Sequence, residues 1–175
     1  FNFTTNGNSQ LLSESFRGVL EDPAVLGILL ALIYTVASFA QIVVGRLVER
    51  IAPTQLFSLV VGLQLIGIYW SIHASGPALV IALALSMAAI YAQVTVGDLV
   101  MARYTADAWR GRVFAVRYFL TFVAAGAAVS VIALLHARGG FDLVLSLTVA
   151  LTVVTFVCVS AITILVASVA GAVRP

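Results

Sequence analysis

Polar residues are so sparse along this chain that apolar runs set its organisation. Five segments run approximately Ala24–Val44, Thr54–Ile72, Ala78–Val100, Val113–Leu135 and Leu143–Val169 with scarcely a charge inside them. Each reaches or approaches the about 20 residues that an α-helix needs to cross ~30 Å of hydrocarbon. They are too long for strands of a membrane barrel, and a spanning backbone must satisfy its own hydrogen bonds, so helix is the predicted state of all five. Between them lie short polar connectors: Gly45–Pro53, the Ser-Gly-Pro turn of Ala74–Pro77, Met101–Arg112 and His136–Asp142. Pro23, Pro53 and Pro77 suit the first turn of the helix that follows, where the missing N–H leaves no bond unmade. The expected organisation is an external segment over residues 1–22, in which Phe1–Gln10 forms the outer end of a further helix, followed by a five-helix transmembrane bundle over 23–175.

Composition agrees with this pattern. The chain is 62% hydrophobic and 9% charged, with a mean hydropathy of +1.15, against roughly one-quarter charged residues in an average soluble domain. There is too little polar surface to cover a core in water, so the lipid bilayer is the expected partner. The formal charge is +2, and all nine basic residues are arginine. They sit in the connectors and form no basic face, so nucleic acid is not expected as a partner. Arg46, Arg50, Arg103, Arg110, Arg112, Arg117 and Arg174 flank one side, while Arg17 and Arg138 flank the other. The positive-inside rule puts the first side, with the C-terminus, in the cytoplasm. The lysine-free, Ala/Val/Arg-rich composition suggests a bacterial inner (plasma) membrane.

Candidate chemistry is confined to a few positions. Cys158 stands alone in an apolar run, and His73 and His136 lie in different connectors, so neither a disulfide framework nor a metal site is expected. Ser, His and Asp never cluster as a nucleophilic site would require, and the chain is not expected to be an enzyme or to carry a cofactor. Tyr34, Ser38 and Gln41 recur at helical spacing on one face of the first span, and Tyr91 and Gln93 lie at similar depth in the third. The run Ala124–Ser130 places small residues four apart, which predicts close helix packing in the fourth span. Gln64 is expected to serve packing. Trp70 suits an interfacial aromatic belt.

The connector Gly45-Arg46-Leu47-Val48-Glu49-Arg50-Ile51-Ala52-Pro53 resembles the cytoplasmic loop signature of the major facilitator superfamily. Gly45, Leu47 and Arg50 match it, Glu49 stands for its Asp, Ala52 replaces its second Gly, and the trailing basic pair is absent. Arg110-Gly111-Arg112-Val113-Phe114 similarly resembles the basic entry into that family's eleventh helix. The resemblance implies an all-α integral membrane fold in which this chain supplies about helices eight to twelve of the C-terminal six-helix bundle. It further implies secondary active transport of a small solute by alternating access, with a missing N-terminal half and a coupling ion as partners. On that basis Tyr34, Gln41, Tyr91 and Gln93 are the expected substrate-binding residues. Gly45, Glu49, Arg50, Asp98, Arg103, Arg112 and Arg117 are the expected gate or salt-bridge residues, with Glu49 and Asp98 holding the arginines and Arg103 the simplest partner for Asp98. A membrane scaffold or channel-like subunit without carrier activity is the alternative.

Overall fold

The computed structural model describes residues 2–16 and 22–172, which fold as five α-helices: α1 Asn2–Ser15, α2 Pro23–Leu47, α3 Pro53–His73, α4 Pro77–Tyr104 and α5 Asp107–Ala172. Arg17 and Arg174, which entered the charge count above, lie outside the described residues. Local chemistry sets the helix starts as expected. Proline occupies the first turn of α2, α3 and α4. The Asp22 carboxylate caps α2 by accepting from the Ala24 N–H at 2.9 Å, satisfying one of the four unpaired amides of that end. Gly76, at φ +57° and ψ −136°, makes the reversal between α3 and α4 in a region that residues with a Cβ rarely adopt.

At about 1.5 Å per residue, the 66 residues of α5 would extend about 99 Å if straight, some three times the hydrocarbon thickness. The helix is in fact broken at Gly139 (φ −156°, ψ 20°) and Gly140 (φ 64°, ψ −163°). Side-chain pairing shows that the two arms run back along each other. Arg117 of the first arm pairs with Asp98 near the end of α4. Thr163 of the second arm bonds the Thr54 carbonyl and lies 3.0 Å from the Ser58 hydroxyl near the start of α3. At the opposite end, His136 and Phe141 face each other across the bend with ring centroids 4.7 Å apart. His136 also meets Glu14 of α1 at 3.0 Å.

The helical segments therefore extend beyond the expected spans, and the connectors contract. The Met101–Arg112 connector reduces to Thr105 and Ala106, and the His136–Asp142 connector to the two glycines. Arginine is a good helix former and its long side chain can reach the interface from a helical backbone, so charge alone does not end a helix at the hydrocarbon edge. The segment before Pro23, expected in part as the outer end of a helix, contains α1, whose Asn8, Leu11 and Leu12 are buried, as is Phe16 just beyond it.

The core is built around α4. Leu79, Leu83, Met87 and Ile90 pack with Leu12 of α1, Ile33 and Ala37 of α2, Ile68 of α3 and Ile132 and Val144 of α5. Nearer the other end, Val96 joins Val44, Leu56 and Val60 in a second cluster. The tightest crossing joins α3 to α4, where a Cβ on Gly67 would lie 2.7 Å from Ser86 Oγ and 2.9 Å from its backbone nitrogen. The Ala124–Ser130 run is not used in this way: Ala128 is buried, but nothing approaches a Cβ placed on Gly126. Spacing of small residues permits close approach without fixing which helix face turns inward.

Ile28, Leu32, Phe39, Phe122, Ile164 and Leu165 are all more than half exposed. Each of α2, α3, α4 and α5 is long and apolar enough to cross a membrane. Exposed branched and aromatic side chains on helices of this length are stable in lipid and not in water. The chain is an all-α membrane protein.

Candidate functional site

Several of the polar residues inside the spans fall along one seam. On α2, the buried positions Ile33, Ala37 and Val44 mark the face turned to the bundle, and Ile28, Leu32, Phe39 and Val43 mark an exposed apolar face. Tyr34, Ser38 and Gln41 occupy the flank opposite that apolar face, since helix residues advance about 100° each. The Tyr34 ring reaches Tyr91 of α4, with centroids 6.4 Å apart and planes at 48°, within the range in which aromatic pairs attract. Asn8 of α1 brings its side chain to Tyr34. Asn8 is 2% exposed, and its Nδ2 meets no hydrogen-bond acceptor among the described residues.

From the tyrosine pair the seam descends α4. Thr95 donates to the Tyr91 carbonyl at 3.4 Å. Asp98, seven residues on from Tyr91, returns to within about 20° of the same face. There it pairs with Arg117 of the first arm of α5, both side chains about one-quarter to one-third exposed. Gly97 makes the approach possible, because a Cβ there would already lie 3.3 Å from Arg117 Nη2. Seven residues at about 1.5 Å each put the tyrosine pair and the ion pair about 10 Å apart. Beside the seam, Thr121 and Ala124 of the first arm are exposed while Ala128 is buried.

Of the expected substrate-binding residues, Tyr34 and Tyr91 come together, and Gln41 lies half-buried two turns along α2 on the same flank. Gln93 is separated from Tyr91 by about 200° around α4 and does not join them. Of the expected gate residues, Asp98 and Arg117 meet. Glu49 and Arg50 are exposed, and neither forms an ion pair among the described residues. Gly45 faces open space. Arg103 is exposed and is not the partner of Asp98. Five residues separate the two, which turns Arg103 about 140° away from Asp98 on α4. Arg112 lies over the Trp109 ring at 4.9 Å. Arg110 bonds Asp107 at 2.7 Å and donates to the Ala102 carbonyl at 3.0 Å, closing one of the unpaired carbonyls at the end of α4.

Thr95 and Gly97 are site residues that the sequence reading does not single out. The signal for them is the i, i+4, i+7 recurrence of Tyr91, Thr95 and Asp98, with a glycine beside the acid. Gln64 is buried on α3 as expected of a packing residue, although its Oε1 has no partner among the described residues. Chemically, the seam offers hydroxyl and amide groups and two aromatic faces, terminated by one opposed charge pair. No family model matches the sequence, and a search of curated proteins finds no significant match to it.

Proposed function

We propose that this chain forms most of the C-terminal half of a secondary carrier of the major facilitator type, moving a small solute by alternating access in a bacterial inner membrane with its C-terminus in the cytoplasm. The observation that carries this reading is the seam from Tyr34 and Tyr91 to the Asp98–Arg117 pair. Polar residues within membrane helices are costly to keep unless they line a path or bind across an interface. An ion pair joining α4 to α5 at one end of such a path is a bond that can form in one state and open in the other. The loop at Gly45–Pro53 adds the family resemblance, and a complementary half would complete the path.

The test is transport by the intact protein in proteoliposomes, with cysteines replacing Asp98 and Arg117 so that the two positions can be joined by a short reducible crosslinker. Saturable counterflow that stops on crosslinking and returns on reduction is the expected result. Conductance without saturation, or turnover indifferent to a crosslink shown to have formed, would overturn it.

A further inference from the structure

α1 touches both the tyrosine seam and the bend of α5, and it does so with two different faces. Gly7, Leu11 and Glu14 fall within about 60° of one another around the helix, and Asn8 and Leu12 lie about 110° away. The first face meets both arms of α5. Glu14 accepts from His136 Nε2 of the first arm at 3.0 Å and from Gln10 of its own helix at 3.4 Å. A Cβ on Gly7 would lie 3.6 Å from the Phe141 ring of the second arm, and Leu11 lines the same small gap as Phe141, Val144 and Leu145. The second face buries Leu12 in the core and brings the Asn8 side chain to Tyr34. One helix thus straddles Gly139 and Gly140, where the backbone of α5 leaves helical geometry, and also reaches the seam.

The first arm of α5 is held at its two ends. From residue 107 to residue 127 every side chain is exposed or half-buried, and burial begins at Ala128 and Ile132. The foot is tied to α4 by Arg117 on Asp98 and by Arg110 on the Ala102 carbonyl, and the head is tied to α1 by His136 on Glu14. Between residues 117 and 136 lie about 28 Å of helix. Over that length a tilt of about 5° at the head moves the foot by about 2.5 Å, enough to make or break a hydrogen-bonded ion pair. We propose that α1 couples the seam to this ion pair: a displacement of Asn8 at Tyr34 is passed along α1 to His136 and the bend, and sets whether Arg117 reaches Asp98. The two-state element is the foot of the arm, tied or free, and both ends of α1 bias it. The part played by a solute rests on the carrier reading, whereas the mechanical link from Glu14 to the foot does not.

The experiment is a double-mutant cycle of Asp98→Asn and Arg117→Gln, read by melting of the intact protein and repeated in Glu14→Gln and His136→Gln backgrounds. Sites this far apart ordinarily contribute independently. The coupling predicts that the pairing constant of Asp98 with Arg117 falls by about twofold or more in either background, and no further when the two are combined. It should not change with Arg138→Gln, an exposed charge beside the bend that makes no ion pair among the described residues. For variants that melt too low for the cycle, the distance between nitroxides at the exposed positions Phe122 and Ile66 is measured in bilayers, with Cys158 replaced by serine. Glu14→Gln should shift or broaden that distance. An unchanged pairing constant, an unchanged distance where the cycle cannot be read, or an equal effect of Arg138→Gln would overturn the coupling. Counterflow is scored separately. Crosslink-sensitive counterflow with a foot indifferent to Glu14 removes the coupling and leaves the carrier, whereas a foot that follows Glu14 in a protein without counterflow removes the carrier and leaves the coupling.

Discussion

Gly97 clears the space through which Arg117 reaches Asp98. A Cβ at position 97 would stand 3.3 Å from Arg117 Nη2 and 4.0 Å from Phe57 Cζ, so the ion pair and the glycine beside it form one unit. Alanine at 97 requires the guanidinium to give by a few tenths of an ångström, which a flexible side chain can do. A leucine requires it to leave. Gly97→Ala is therefore expected to preserve the coupling between Asp98 and Arg117, and Gly97→Leu to reduce it by more than half, as read from a double-mutant cycle of melting in each background.

Separating the charges should be worse than removing both. Asp98→Asn leaves Arg117 a cation in a half-shielded position, an arrangement expected to lower stability by about 1–2 kcal/mol, less than for a fully buried pair because water still reaches both groups. The exchanged pair Asp98→Arg/Arg117→Asp should recover part of the loss. Melting of purified single and double variants in detergent gives the coupling directly, and additivity of the single losses would refute a direct pair.

The α3–α4 crossing makes a contrasting pair of glycine predictions. At Gly67 the obstacle is partly backbone, since the Ser86 nitrogen would lie 2.9 Å from the new Cβ. Gly67→Ala should therefore destabilise by about 1–3 kcal/mol, and Ser86→Gly should rescue it only in part because the backbone contact remains. Gly126→Ala meets nothing within 4 Å and should change melting by less than about 0.5 kcal/mol.

These positions also show which parts of the architecture are written locally. Pro23, Pro53 and Pro77 announce their helix starts because a ring-locked φ and an absent N–H act within one turn. The five apolar runs are legible for the same reason, since the cost of exposing backbone in lipid leaves each run only one structure. Gly67 and Gly126 look alike in sequence, yet one lies at a helix crossing and the other faces open space, because rotation of a helix about its axis is fixed by all its neighbours together. Asp98 is half legible. Its spacing from Tyr91 marks the shared face, while its partner Arg117 lies on another helix, and the nearer Arg103 is turned away by its own position in the helix.

Asn8 separates stability from activity. Its Nδ2 is buried without an acceptor among the described residues, so Asn8→Leu removes a polar group that gains little from burial and should leave stability within about 1 kcal/mol of the parent. If the Tyr34–Tyr91 seam is the solute path, the same substitution should still lower transport several-fold, as should Tyr34→Phe. A variant that melts normally and transports normally would remove Asn8 from the path.

Gly140 tests the bend that turns α5 into two arms. Its φ of 64° with ψ of −163° lies in a region open essentially to glycine alone. Gly140→Ala should therefore be destabilising by about 1–3 kcal/mol, although no atom lies within 4 Å of the added methyl. Gly139 is limited differently: its φ of −156° lies outside the positive-φ region that favours glycine, but its Cβ would lie 3.0 Å from Leu143 Cβ. Gly139→Ala should consequently be improved in part by Leu143→Ala, which removes the Cδ2 that would lie 3.1 Å from the new methyl but keeps the Cβ at 3.0 Å, whereas Gly140→Ala should not be improved. Melting of the two single and two double variants distinguishes conformational strain from crowding, and rescue of both glycines by Leu143→Ala would mean that the bend is held by packing and not by backbone geometry.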